Sequence, residues 1–266
     1  MACTLEDLQK AEYGMLCQFA DFCDKYQITY GLAWGTLLGA VRHNGFVPWD
    51  DDIDIHMEVH EFKKLLRCLR KHPIHGLHLS WMDSEPDNPF FIAKLRKNGT
   101  FMPEPFSGLK NIDIHNGIWI DIFCYTGIPK SKKLAALQKK LLFYYRSVSH
   151  IIFFKYDPDI DHPLTKTKAY SLGMKMSNKN IFRIRKLLFW LYTNMGSRHS
   201  EEVLYNSIDF MRSAPRKYEL PLCRHTFGDR EFSIPQNYDE ALTDMYGDYM
   251  TPKQFPSHAD YANVQL

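Results

Sequence analysis

Two hydrophobic periods alternate along the first half of the chain. Behind Thr4 and Asp7, a pair suited to capping a helix, Leu5, Leu8, Met15, Phe19, Phe22 and Tyr26 recur at helical spacing. Residues 28–34 (Ile-Thr-Tyr-Gly-Leu-Ala-Trp) read as a buried strand entering a Gly35-Thr36 turn, and the short helix that follows stops at Asn44-Gly45. Asp52–Met57 alternates as a second strand, and Val59–Lys71 has the pattern of an amphipathic helix. Leu77–Met82, Phe90–Arg96 and Gly117–Tyr125 read as further strands. From about Ser131 the pattern changes to long helices, Lys132–Phe154, Ile181–Asn194 and Ser200–Arg212. A short strand at Glu231–Ile234 then leads through Pro235 to a helix at Tyr238–Tyr246. The pattern predicts an α+β fold, a mixed β-sheet flanked by helices. It divides into a core at 1–130, a helical region at 131–215 and a strand–helix element at 216–266 that returns to the core.

Composition adds that a large core is available: 45% of the 266 residues are hydrophobic, with 18 Phe, 15 Tyr and 5 Trp. The longest apolar runs are about half a dozen residues, far short of the ~20 that span a bilayer, and the first residues lack the pattern of a signal peptide. Cys3, Cys17, Cys23, Cys68, Cys124 and Cys223 are scattered without a CxxC, which points to small apolar residues in a reducing, cytoplasmic setting.

The formal net charge of +2 argues against a dedicated nucleic-acid binder, but it conceals an asymmetry. Between Lys130 and Trp190 fourteen basic residues face three acidic ones, a net +11, which leaves −9 for the rest. Within that segment Asn180–Trp190 is basic and aromatic enough to lie on an anionic membrane surface.

The candidate chemistry lies between residues 34 and 55. A glycine after a strand admits a phosphate to the backbone, and the helix N-terminus opened by Gly35-Thr36 offers N–H donors and a favourable dipole. Gly39 allows close packing of that helix, and Arg42 can offer a bidentate fork to phosphate oxygens. Next comes Trp49-Asp50-Asp51-Asp52-Ile53-Asp54-Ile55. Residues two apart on a strand share a face, so Asp52 and Asp54 can share one divalent cation, Mg²⁺ or Mn²⁺, while Ile53 and Ile55 enter the core. Asp50 and Asp51 are expected to shape the turn or tune its field. Asp121, alone among apolar neighbours in Gly117–Tyr125, is expected to be a third carboxylate, as metal ligand or as base toward an attacking hydroxyl. Lys94 and Arg96 alternate on one strand face and are suited to a diphosphate.

These residues together resemble the LicD family of phosphotransferases, which includes fukutin and fukutin-related protein. Tyr30–Ile55 matches the family's opening motif, and Gly117-Ile118-Trp119-Ile120-Asp121-Ile122-Phe123 its second. Ile234–Asp239 and Tyr246-Gly247-Asp248-Tyr249-Met250 match the third, with His258 following after a shortened stretch. The resemblance implies a nucleotidyltransferase-like fold and transfer of a phosphoalcohol, phosphocholine above all, from a CDP-activated donor such as CDP-choline to a hydroxyl of a surface glycan or its lipid-linked precursor, with release of CMP. Ribitol or glycerol phosphate from the corresponding CDP-alcohol is an alternative cargo; use of an NTP with release of pyrophosphate is an alternative reaction. Carried over by position, Asp52, Asp54 and Asp121 are the metal ligands. Gly35, Thr36, Arg42, Lys94, Arg96, Asp248 and His258 are the expected substrate contacts.

Overall fold

The computed structural model describes residues 3–104, 112–156, 163–206, 212–253 and 263–266. Helix α1 (Leu5–Tyr26) starts at a complete capping box, in which the Thr4 hydroxyl and the Asp7 carboxylate satisfy each other's backbone N–H. It buries Leu8, Met15, Leu16 and Phe19 against the sheet, and ends at Gln27 in the left-handed conformation. The predicted strand at 28–34 shrinks to β1 (Gly31–Leu32), because helix α2 (Trp34–His43) begins earlier than the pattern suggests. Helix α2 stops at Asn44, φ 52°, as expected of an αL C-cap.

Strand β2 (Asp54–Glu58) runs straight into α3 (Val59–Lys71), whose bounds agree with the periodicity. Then come β3 (Leu77–Ser80), β4 (Ala93–Lys97) and β5 (Trp119–Gly127), the last buried along its whole length. The sheet order is β1-β2-β5-β4-β3, and only β2–β5 is parallel. Ile53, Ile55 and Met57 share one face with Ile120, Ile122 and Cys124 inside the core, so Asp54, His56, Asp121 and Phe123 lie together on the other.

Helices α4 (Lys132–Tyr156), α5 (Lys168–Met174) and α6 (Asn178–Asn194) form the basic part, with α4 and α6 packed together through Tyr145, Phe189 and Tyr192. Arg185 locks α6 to the core: it is fully buried and donates to the carbonyls of Asn88 and Phe90. No helix among the described residues is long and apolar enough to cross a membrane.

The helix expected at Ser200–Arg212 is absent from its described part. Glu202–Tyr205 is instead strand β6, which extends the second half of β5, and Ser213–Pro215 is β7 on β6. Burial of Val203, Leu204 and Tyr205 in that pairing overrides the local helical pattern. The short strand expected at Glu231–Ile234 is one arm of a hairpin, β8 (Leu222–Phe227) and β9 (Arg230–Pro235), turning at Gly228-Asp229 with Gly228 at φ 69°. Helix α7 (Tyr238–Tyr246) closes the described fold as predicted.

Candidate active site

The parallel register of β2 and β5 sets Asp54 beside Asp121. Asp52 lies just before β2 rather than on it, yet Asp52, Asp54 and Asp121 each offer a carboxylate oxygen within 4.8 Å of the others. Asp50, Asp51 and Asp52 form a second trio by the same measure, so Asp52 is common to both. Burial and the neighbouring aspartates push the carboxyls of Asp52 and Asp54 well above the ordinary range. Burial also raises Asp121, against the pull of Lys94. A divalent cation fits this donor set: three hard carboxylate oxygens converge, and Lys94 Nζ, 2.9 Å from Asp121 Oδ1, offsets part of their charge.

The Thr36 hydroxyl is turned into the fold. Thr36 is 2% exposed, and its Oγ1 accepts the backbone N–H of Asp54 at 2.8 Å. The first turn of α2 thereby fixes the start of β2 and the direction in which Asp54 leaves it. Thr36→Val is expected to cost about 1–3 kcal/mol by orphaning that buried N–H, and turnover should fall with it. Thr36→Ser should restore both, read by thermal melting and initial rate.

Gly35 permits a close approach, but by a protein anion: a Cβ there would stand 2.6 Å from Asp50 Oδ2. Asp50 thus lies at the N-terminus of α2, where the dipole favours negative charge and no side chain of Ala33 caps the helix. Gln9 on α1 donates to the Asp50 carbonyl at 2.8 Å and holds the aspartate loop from outside. Gly39 packs as expected, since a Cβ would meet the Gly45 carbonyl at 2.3 Å. Trp34 enters α2 at φ 43°, a strained conformation for a large side chain.

Lys94 and Arg96 do share a face, but neither is free for a diphosphate. Lys94 faces Asp121 and stands over the Trp119 ring at 4.1 Å, so it belongs to the carboxylate site itself. Arg96 is fully buried, donates to the Gly117 carbonyl at 3.1 Å and pairs with Glu104. Arg42 spends one guanidinium nitrogen on the Tyr249 carbonyl at 2.5 Å, clasping the Tyr-Gly-Asp-Tyr segment to α2. That clasp brings Tyr246, not Asp248, to the aspartates, and burial with the charges of Asp54, Asp50 and Asp52 raises its phenol. Asp248 is exposed and accepts from the Thr251 hydroxyl at 2.6 Å, away from the cluster. His258 lies outside the described residues.

Two carboxylates escaped the sequence reading. Glu104 neutralises Arg96 and stands 3.9 Å from Lys94, so it sets the charge behind Asp121; nothing local marks it. Glu12 on α1 is 1% exposed, and neither of its oxygens has a hydrogen-bond partner. Burial raises it well above the usual range, with Asp52, Asp51, Asp50 and Asp121 adding to the effect. Its signal was a charged residue four positions after Leu8, inside the apolar stripe.

Residues 27–131, which hold α2, the aspartate loop, Lys94 and Asp121, match the family described as "LicD/FKTN/FKRP, nucleotidyltransferase domain". The chain is 27% identical to the lipopolysaccharide cholinephosphotransferase LicD of Haemophilus influenzae over 274 aligned residues, covering 98% of each protein. An uncharacterised protein of Rickettsia typhi is 40% identical over 57 residues, 20% of this chain and 18% of that one. The carboxylate site thus lies within the stretch that resembles the LicD/FKTN/FKRP nucleotidyltransferase domain, in a chain similar over 98% of its length to the Haemophilus protein.

Proposed function

We propose that the chain transfers phosphocholine from CDP-choline to a hydroxyl of a surface glycan, releasing CMP. The observation that carries this is the convergence of Asp52, Asp54 and Asp121 beside the N-terminus of α2. The similar Haemophilus protein is named for choline-phosphate transfer to lipopolysaccharide. Asp52, Asp54 and Asp121 would hold a Mg²⁺ or Mn²⁺ ion, which supplies charge neutralisation for a diphosphate. The chain's own groups do the rest. The α2 N-terminus favours the donor's negative charge, and Lys94 places an ammonium beside Asp121. The acceptor oxygen forms a bond to the phosphocholine phosphorus as the bond to CMP breaks, and the hydroxyl proton passes to Asp121. Trp119 and Phe90 flank Lys94 and limit water around it. Such catalysis is mostly positioning and electrostatics.

The test is incubation of the purified chain with CDP-choline, Mg²⁺ and lipopolysaccharide lacking phosphocholine. Metal-dependent CMP release with a new phosphodiester in the ³¹P spectrum of the glycan is expected. Pyrophosphate release from an NTP, with CDP-choline left intact, overturns the reading in favour of nucleotidyl transfer. CDP-ribitol and CDP-glycerol, run in parallel, identify the alcohol.

A specific observation supports a peripheral membrane setting for the acceptor. Exposed large apolar side chains concentrate on α4, α5 and α6, with Leu187 56% and Trp190 59% exposed, inside the segment of net +11. Lys179, Arg183, Leu187 and Trp190 follow one stripe of α6. Each basic residue near an anionic leaflet contributes about 1 kcal/mol. Co-sedimentation with phosphatidylglycerol vesicles is expected, weakened by salt and by Trp190→Ser, and absent with phosphatidylcholine alone.

A further inference from the structure

Along the polar face of β2, two residues beyond Asp54, stands His56; on β5, two residues beyond Asp121, stands Phe123. Trp34, the strained residue immediately before Gly35, packs edge-on against both rings, with centroids 4.4 Å apart in each case. The carboxylates and these rings are therefore consecutive steps on one sheet face, roughly 7 Å apart along the strands. Beyond them opens a cleft of about 50 Å³ walled by Trp34, His56, Tyr205 and Tyr218, with Leu37 and Met245 among its apolar lining.

At the cleft floor is Glu219, 5% exposed. Its Oε1 accepts from the Tyr205 hydroxyl at 2.6 Å and lies 2.9 Å from His56 Nδ1. His56 Nε2, on the other side of the ring, is buried without a hydrogen-bond partner. The rim adds Arg212 and Asp244, which pair with each other and cancel. The cleft therefore combines four aromatic rings and one buried carboxylate whose ion-pair partner among the described residues is a histidine, not a lysine or arginine.

We propose that this cleft receives the quaternary ammonium of the transferred alcohol while its phosphate lies at the aspartates. The proposal rests on the functional reading above. A quaternary ammonium has no N–H to donate, and Glu219 Oε1 already accepts from Tyr205 and faces His56. A diffuse cation needs only ring faces and a nearby negative charge. The phosphate ester and the ammonium of phosphocholine are joined by a single ethylene bridge, a span that one side-chain repeat along the strand accommodates. A neutral polyol such as glycerol or ribitol would instead leave its hydroxyls against Trp34 and Tyr218 and bring no charge to Glu219.

The test compares CDP-choline with CDP-glycerol in the full chain and in Glu219→Gln and Tyr218→Leu. Tyr218 is half-buried at the cleft edge, so its variant separates recognition from any folding defect of Glu219→Gln. Both variants are expected to lower the kcat/KM ratio of CDP-choline to CDP-glycerol roughly tenfold or more. An unchanged ratio in both overturns the pocket while leaving phosphocholine transfer intact. If wild type turns over neither donor, the functional reading fails, and tetramethylammonium titration followed by tryptophan fluorescence judges the pocket alone. Saturable binding weakened by Tyr218→Leu supports it, and its absence overturns it.

Discussion

Asp54→Asn is expected to abolish transfer while raising the melting temperature of the metal-free protein. The two effects have one cause. Asp54 is 8% exposed, and burial together with Asp52 and Asp121 disfavours its charged form. An amide of the same shape removes that repulsion and keeps the Thr36 bond, which uses the Asp54 backbone rather than its side chain. Loss of one carboxylate at a site of developing charge forfeits several kcal/mol of transition-state stabilisation, a rate loss of roughly a thousandfold or more. The gain in stability is expected to be about 1 kcal/mol, a rise of about 2–4 °C for a domain of this size. Initial rates and thermal melting of the purified variant check both. A variant that is inactive and also less stable would show that Asp54 is held by structural partners rather than tolerated for function.

Mg²⁺ or Mn²⁺ is expected to stabilise the protein, and by more as pH rises. Asp52, Asp54 and Glu12 have folded-state pKa values above their unfolded ones. Their contribution to stability is fully present below the unfolded carboxylate range and is lost as pH rises through the folded values. The metal-free protein should therefore lose cluster stability as pH rises above the ordinary carboxylate range. A cation opposes that loss, because binding requires carboxylates and releases protons. At a hundred times its dissociation constant the ion adds about 2.7 kcal/mol. Melting curves at pH 5.5 and 8 with Mg²⁺ or EDTA should show a larger metal shift at the higher pH, and the Asp54→Asn variant should show little at either. Equal shifts at both values would mean that the ion binds elsewhere.

Elements whose side chains obey a single rule were legible in the sequence. Helices α3 and α7 came with correct bounds because their apolar stripes face one neighbour. Asp54 and Asp121 were legible because a carboxylate between isoleucines has few reasons to exist, and Asp52 because it stands two residues before Asp54. Strand β6 was not, because its state is decided by pairing with β5 and burial on both faces. Strand β8 was within reach: Gly228-Asp229 is a hairpin turn, and Leu222–Phe227 lacks only a regular alternation. Thr36 and Arg96 were identified as substrate contacts, and in the structure their side chains hold the Asp54 backbone and Glu104. A motif names residues at a site without saying whether they face the ligand or hold the residues that do. Glu104 and Asp50 act through partners distant in sequence or packed on a glycine, and neither leaves a local pattern.

The pairing of Asp54 with Asp121 in a parallel ladder has an evolutionary consequence. Their separation is fixed by a backbone hydrogen-bond repeat, so it does not depend on the length of chain that connects them. Segments between β2 and β5 that stay out of the ladder, such as the turns after α3 and β3, are therefore free to lengthen or shorten without changing the spacing of the carboxylates. The three residues from Asp51 to Ile53 have no such freedom. One inserted residue there would leave Asp54 in the ladder but carry Asp52 out of step with it, breaking the convergence of the three carboxylates. Length variation among relatives should accordingly spare that short link and collect in the loops around it.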